Sequence, residues 1–150
     1  MIVKGNLWDI YKDYDAICCT TNQVVKSNGN LVMGKGIAKQ FSDKYKWLSK
    51  NWGERLKKYD NQCFFVTLMK ANPHLCFFAT KNHWKENSSV ILIETAIRSL
   101  CKTIILLNWD KVLLPCPGCN NGGLNWEKEV YPRIKIWLEL YPQIDIIMKG

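Results

Sequence analysis

Two stretches of this sequence are almost bare of side chains, and bareness of that kind suits close main-chain contact with a ligand. The first is "NGNLVMGKGIAKQF" (residues 28–41), where Gly29, Gly34 and Gly36 lead into a helix-like segment. A helix starting near Gly36 turns unpaired N–H groups and the positive end of its dipole toward the loop, which suits a phosphate. "MGKG" is neither G-x-G-x-x-G nor the P-loop G-x-x-x-x-G-K-[ST], and tight turns use the same glycines. The second stretch is "PGCNNGGLNW" (residues 117–126), with Gly118, Gly122 and Gly123 beside Asn120 and Asn121, which tolerate left-handed backbone. Two such loops at one sheet edge could hold two phosphates, one at each helix start, as in a diphosphate joining two nucleosides. Asn22 reads equally as a ribose ligand or as a turn residue.

The elements that must carry these loops follow from periodicity. "MIVKG" reads as a first strand and "DAICCTT" as a second, buried one. Residues 35–42 read as a short helix. A second helix over residues 45–59 places Trp47, Leu48, Trp52, Leu56 and Tyr59 on one side and lysines on the other. "CFFVTLM" and "LCFFAT" are β-rich runs joined by the turn-like "KANPH". Ser88 or Ser89 caps the next helix, whose apolar period from Ile93 through Ile105 continues into "KTIILL". "KVLLP" is a strand. A helix carrying Ile134, Trp137 and Leu138 follows, with Pro132 in its first turn. "QIDIIM" closes the chain as a strand. Strands alternating with helices predict an α/β domain, a mixed sheet covered on both faces, with ligands at the carboxyl ends of the strands.

Composition narrows the class. The chain has 150 residues, enough for one domain with a sizeable core, and its 47% hydrophobic and 23% charged content argues against disorder. No run of about 18 apolar residues exists to span a membrane. "MIVKGNLWDI" lacks an apolar signal core, so a cytoplasmic (intracellular) protein is expected. The seven cysteines fit that compartment as free thiols. "CPGC" is a lone C-x-x-C, with only His74 and His83 elsewhere, at spacings unsuited to zinc; a redox pair is its other reading. The formal charge of +8 suits an anionic partner such as nucleic acid, a nucleotide or a phosphorylated metabolite, and equally a plain soluble surface.

"NLVMGKGIAKQF", "TKNHW" and "PGCNNGGLNWE", in that order, resemble macro domains, the ADP-ribose-binding fold. They look most like the branch holding the terminal ADP-ribose glycohydrolase and the antitoxin that removes ADP-ribose from DNA. The resemblance runs from "VKGNLWD" to the last strand and implies one macro domain over residues 1–150, a three-layer α/β/α fold with a central mixed sheet. It implies ADP-ribose in a cleft across the sheet edge. Asn6, with Leu7 beside it, falls where many members place an aspartate on the adenine amino group. Met33, Gly34, Lys35, Gly36, Ile37 and Ala38 would line the diphosphate and distal ribose. So would the second loop, Pro117, Gly118, Cys119, Asn120, Asn121, Gly122, Gly123 and Leu124. The long "TTNQVVKSNGN" leaves the ribose role between Asn22 and Asn28. Lys81 of "TKNHW" matches the lysine that acts at the anomeric carbon of the distal ribose, and it must be neutral to attack.

One departure bears on chemistry. Where the human-type glycohydrolase carries an aspartate, this chain has Gly122, as do the DNA-directed antitoxins. Glu127 is a weak substitute, better read as a helix-start glutamate. Trp84 of "KNHW" could stack near the site, and Trp126 reads as an anchor packing the second loop onto the core. Three readings follow. The first is an ADP-ribosyl hydrolase acting on modified protein or nucleic acid. The second is a module that binds ADP-ribose or another NAD-derived nucleotide without chemistry. The third is an ADP-ribose 1″-phosphate phosphatase. A monomer is expected, with neither metal nor cofactor.

Overall fold

Strands whose successive residues face two apolar layers form the centre of the fold. The computed structural model describes residues 1–59, 65–68, 71–119 and 121–149. Its strands are β1 (Ile2–Gly5), β2 (Ala16–Thr21), β3 (Phe65–Leu68), β4 (His74–Ala79), β5 (Val112–Pro115) and β6 (Ile144–Lys149). They form a six-stranded sheet in the order β1-β6-β5-β2-β4-β3. Every pairing is parallel except that of β3 with β4. In β2, Ile17 and Cys19 pack into one core while Ala16 and Cys18 pack into the other. In β4, Leu75, Phe77 and Ala79 join the first core, and Cys76 and Phe78 the second. A strand buried on both faces needs no polar alternation, which is why "AICC" and "LCFFA" read as continuous apolar runs.

Helices supply the outer layers. The first core is closed by α1 (Leu7–Ile10), α2 (Gly36–Lys44) and α3 (Leu48–Lys58); the second by α4 (Val90–Leu107) and α5 (Tyr131–Leu140). The expected period holds in α4, where Ile93, Ala96, Ile97, Leu100, Cys101 and Ile104 are all buried. Ser89 is its cap, accepting from Leu92 N at 3.3 Å, and Asn108 ends it in the left-handed region at φ 55°. Pro132 does lie in the first turn of α5.

Three local features depart from expectation. The helix anticipated from residue 45 begins at Leu48, so Trp47 lies ahead of it and is exposed, as is Tyr59 beyond its end. The short α1 was not anticipated; Asn6 caps it by accepting from Trp8 N at 2.9 Å. A π-helical turn, Trp126–Val130, precedes α5. The anticipated strand residues 63, 64 and 69 lie outside the described residues.

The first loop is held down by α3. Trp52 is fully buried, and its ring meets Phe77 edge-on at 5.6 Å. Leu31 N donates to Ser49 O at 2.9 Å. Gly53 lies in the helix interior because the loop main chain passes directly over it: a Cβ there would collide with Gly29 O and lie 2.9 Å from Leu31 N.

Candidate functional site

Because β2, β4 and β5 are adjacent and parallel, their carboxyl ends open on one side of the sheet. From these ends leave the first loop, the "TKNHW" segment and the second loop. Between them lies a cleft of about 870 Å³. Of the anticipated residues, Asn6, Leu7, Asn22, Gly34, Lys35, Gly36, Ile37, Ala38, Lys81, Gly118, Cys119, Asn121 and Gly122 line it.

Other anticipated residues are placed elsewhere. Met33 is buried in the first core. Leu124 packs against the second core, and Pro117 is buried without lining the cleft. Gly123 faces Asn87, whose Oδ1 would lie 2.8 Å from an added Cβ. For Met33, Leu124 and Pro117 the loop turns the residue away from the cleft into packing behind it. Asn120 lies outside the described residues. Asn28 does not line the cleft; its Oδ1 accepts from Asn30 N at 3.0 Å. Asn22 does line it, yet both ends of its amide are engaged: Nδ2 donates to Val32 O at 3.1 Å and Oδ1 accepts from Val24 N at 2.9 Å. It ties the two ends of the first loop together.

The two helix openings differ. At α2, Lys35 occupies the cap position without a side-chain cap, so the N–H groups of Gly36, Ile37 and Ala38 are left for another acceptor. Gly36 has φ 58°, and a Cβ there would lie 2.5 Å from Asn121 Nδ2, so the two loops approach each other at this point. The second opening is closed by its own side chains. Asn125 Oδ1 accepts from Lys128 N at 2.8 Å, and Asn125 N donates to Glu129 Oε2 at 2.6 Å. The expectation of one phosphate at each helix start is corrected accordingly: the second loop can offer only the main chain that precedes its helix. Glu127 is exposed on that π-helical turn and does not line the cleft. Trp126 packs against the second core, as an anchor would.

Lys81 spans the cleft. It is half-buried, and its Nζ donates to Asn121 O at 3.4 Å. Burial lowers its pKa, and the neighbouring positive charge of Lys35 lowers it further. Both effects favour the neutral amine. Replacing Lys35 by alanine removes the like charge and should raise the pKa of Lys81 part of the way toward the ordinary lysine value. NMR titration of the methylated Lys81 amine checks this; a downward shift would contradict it.

Two polar side chains of the cleft lining stand out among the residues that sequence did not anticipate. Thr21 Oγ1 and Ser88 Oγ are buried without a hydrogen-bond partner and belong to residues that line the cleft. With Ser89 as the cap, the Ser88 hydroxyl is left over, and that is the signal that could have marked it. Ser88 also explains the missing acid: a Cβ at Gly122 would collide with Ser88 Oγ and lie 2.6 Å from Gly118 O. Any side chain at position 122 requires the loop to move. Cys116 and Cys119 are joined as a disulfide, so the expectation of seven free thiols fails here. Three residues of turn bring their Cα atoms to 5.9 Å, within the span that such a bridge needs. Cys18, Cys19, Cys76 and Cys101 are free and buried.

Fold and cleft together define an open α/β domain with its ligand crevice at the carboxyl ends of the strands. No protein-family profile matches the chain. The macrodomain of Mycobacterium tuberculosis DarG is similar with a TM-score of 0.77 and 30% identity, over 100% of this chain and 97% of that one. The chain belongs to the macrodomain family. The macrodomain of Thermus aquaticus DarG is similar with a TM-score of 0.81 and 28% identity, over 99% of this chain and 96% of that one. A curated relative from Mycobacterium tuberculosis (strain ATCC 25618 / H37Rv), named DNA ADP-ribosyl glycohydrolase, is 30% identical over 153 residues. The match takes in 99% of this chain but only 42% of that relative's length.

Proposed function

We propose that residues 1–150 act as an ADP-ribosyl glycohydrolase, binding ADP-ribose in the cleft and hydrolysing the bond between its distal ribose and an acceptor. The observation that carries this reading is Lys81, an amine with a lowered pKa facing a helix opening whose N–H groups are free. The named activity of the similar mycobacterial relative favours modified DNA as the acceptor class.

The geometry supplies the parts. The amides of Gly36, Ile37 and Ala38 hold the diphosphate, and the main chain of the second loop closes over it. The neutral Lys81 Nζ attacks the anomeric carbon of the distal ribose. The bond to the acceptor breaks with its electron pair going to the acceptor, which takes up a proton. Water then releases the lysine and gives free ADP-ribose. Asn6 can still meet the adenine amino group, because a carbonyl oxygen that accepts from Trp8 N has a second lone pair.

A binding-only module is the second reading, favoured by the closed space at Gly122, where an acidic side chain does not fit. An intracellular monomer is part of the proposal. The support for an intracellular location is that the Cys116–Cys119 bridge joins residues three apart and staples no distant segments, while four other described cysteines remain free. Among the described residues, no helix is long and apolar enough to cross a membrane.

Two measurements test the reading. ADP-ribose at a hundred times its Kd should stabilise the fold by about 2.7 kcal/mol, read as a rise in Tm; no rise at millimolar nucleotide contradicts binding. The protein should also release ADP-ribose from a modified DNA oligonucleotide. Binding without release from either modified DNA or modified protein would favour the second reading.

A further inference from the structure

The Cys116–Cys119 bridge lines the ligand cleft, and no step of the proposed hydrolysis uses it. A bridge between residues three apart constrains little of the unfolded chain, so it is poorly suited to stapling the whole fold. What it fixes is local. Cys116 directly follows β5 and is tied to the sheet, its N donating to Ile147 O at 3.0 Å. Cys119 lies on the loop that goes on to Asn121 and Gly122, both of which line the cleft. The bridge therefore fastens the start of the second loop to the end of β5. Inside a cell, a disulfide is more often transient and redox-responsive than permanent. Cys18, Cys19, Cys76 and Cys101 are buried in the two cores, so among the described cysteines a thiol from solution reaches this pair first. Cys116 is 7% exposed and Cys119 is half-buried, which makes the Cys119 sulfur the open side of the bridge.

We propose that Cys116 and Cys119 form a thiol–disulfide exchange site that couples occupancy of the cleft to a low-molecular-weight thiol such as glutathione. The proposal rests on ADP-ribose as the ligand of the cleft. The bridged form binds it more tightly, because the loop that closes over the diphosphate is fixed beforehand. Reduction begins with a small thiolate attacking Cys119 Sγ. The S–S bond breaks with its electron pair on Cys116 Sγ, which takes up a proton. A second small thiolate then attacks the sulfur of the first, and Cys119 leaves and is protonated in turn. Two small thiols have become one disulfide, and the bridge has become two thiols. A nucleotide in the cleft lies over the approach to Cys119. Coupling between the two equilibria is reciprocal, so the ligand must protect the bridge by the factor by which the bridge favours the ligand.

The test equilibrates wild type with reduced and oxidised glutathione in varied proportion. Alkylation followed by mass spectrometry reads Cys116 and Cys119 individually as free or bridged, and calorimetry gives the ADP-ribose affinity of the fully bridged and fully reduced forms. The bridged form should bind about tenfold more tightly. Saturating ADP-ribose should raise, by the same factor, the ratio of squared reduced to oxidised glutathione at which half the bridge is open. Cys116→Ala should bind as reduced wild type does and ignore glutathione. Equal affinity in the two forms, a midpoint that the nucleotide leaves unmoved, or a Cys116→Ala protein that still responds to glutathione overturns the exchange site. Failure of the cleft reading looks different: ADP-ribose binds neither form, which removes the ligand and the coupling together.

Discussion

Lys81→Ala should lower ADP-ribose release by about 10²–10⁴-fold, the range lost with one group that takes part directly in bond making or proton transfer. Free ADP-ribose should still bind within a few-fold of wild type, because the proposed hold on the diphosphate is made by main-chain groups at α2 and the second loop. The fold should survive as well, since the substitution removes a single 3.4 Å hydrogen bond, to Asn121 O, from the rim of the cleft. Lys81→Arg should be equally inactive, since a guanidinium remains protonated and cannot act as the nucleophile. Timed release from a modified oligonucleotide, beside calorimetric titration of free ADP-ribose, separates the two effects. A mutant at full rate would remove the lysine from the mechanism. A mutant that fails to bind free ADP-ribose would make Lys81 a binding residue instead.

Gly53→Ala should destabilise the protein, opposite in sign to most glycine replacements in a helix interior. Elsewhere, alanine gains about 0.5–1 kcal/mol over glycine in such a position. Here the added methyl meets Gly29 O and Leu31 N, main-chain atoms that cannot rotate aside. Forcing a methyl into packed surroundings costs about 1–3 kcal/mol, which exceeds the propensity gain. For a chain of this length, each kcal/mol moves Tm by about 2–4 °C. The loop that must yield is the one Asn22 ties together, so affinity for ADP-ribose should fall along with Tm. Calorimetry of the variant with and without nucleotide measures both. A Tm at or above wild type would mean that the loop does not lie on α3 as described.

The layered fold was legible because its signals are periodic. The uncharged runs of β2 and β4 marked strands covered on both faces, and the spacing from Ile93 to Ile104 marked α4. The cleft was legible where its lining is bare main chain, as at Gly34 and Gly36. Side-chain direction was not. Met33 and Leu124 sit inside the two glycine-rich stretches, yet they turn into the cores, and no local pattern distinguishes them from their neighbours. Hydrogen-bond partners were illegible for the same reason. The amides of Asn6, Asn22 and Asn125 are each engaged by backbone, a use that depends on how the chain turns two or more residues away. The closure of the second helix start by Asn125 and Glu129 rests on a π-helical turn that has no sequence period of its own.

On the proposed reading, main-chain amides at the α2 opening and the second loop grip a diphosphate. Titration of ADP-ribose into isotopically labelled protein, followed by amide NMR, tests it most directly. The largest shifts should fall on Gly36, Ile37, Ala38, Gly118 and Gly122, and adenosine alone should leave them nearly unmoved. Shifts confined to residues outside the cleft, or equal shifts with adenosine, would contradict it.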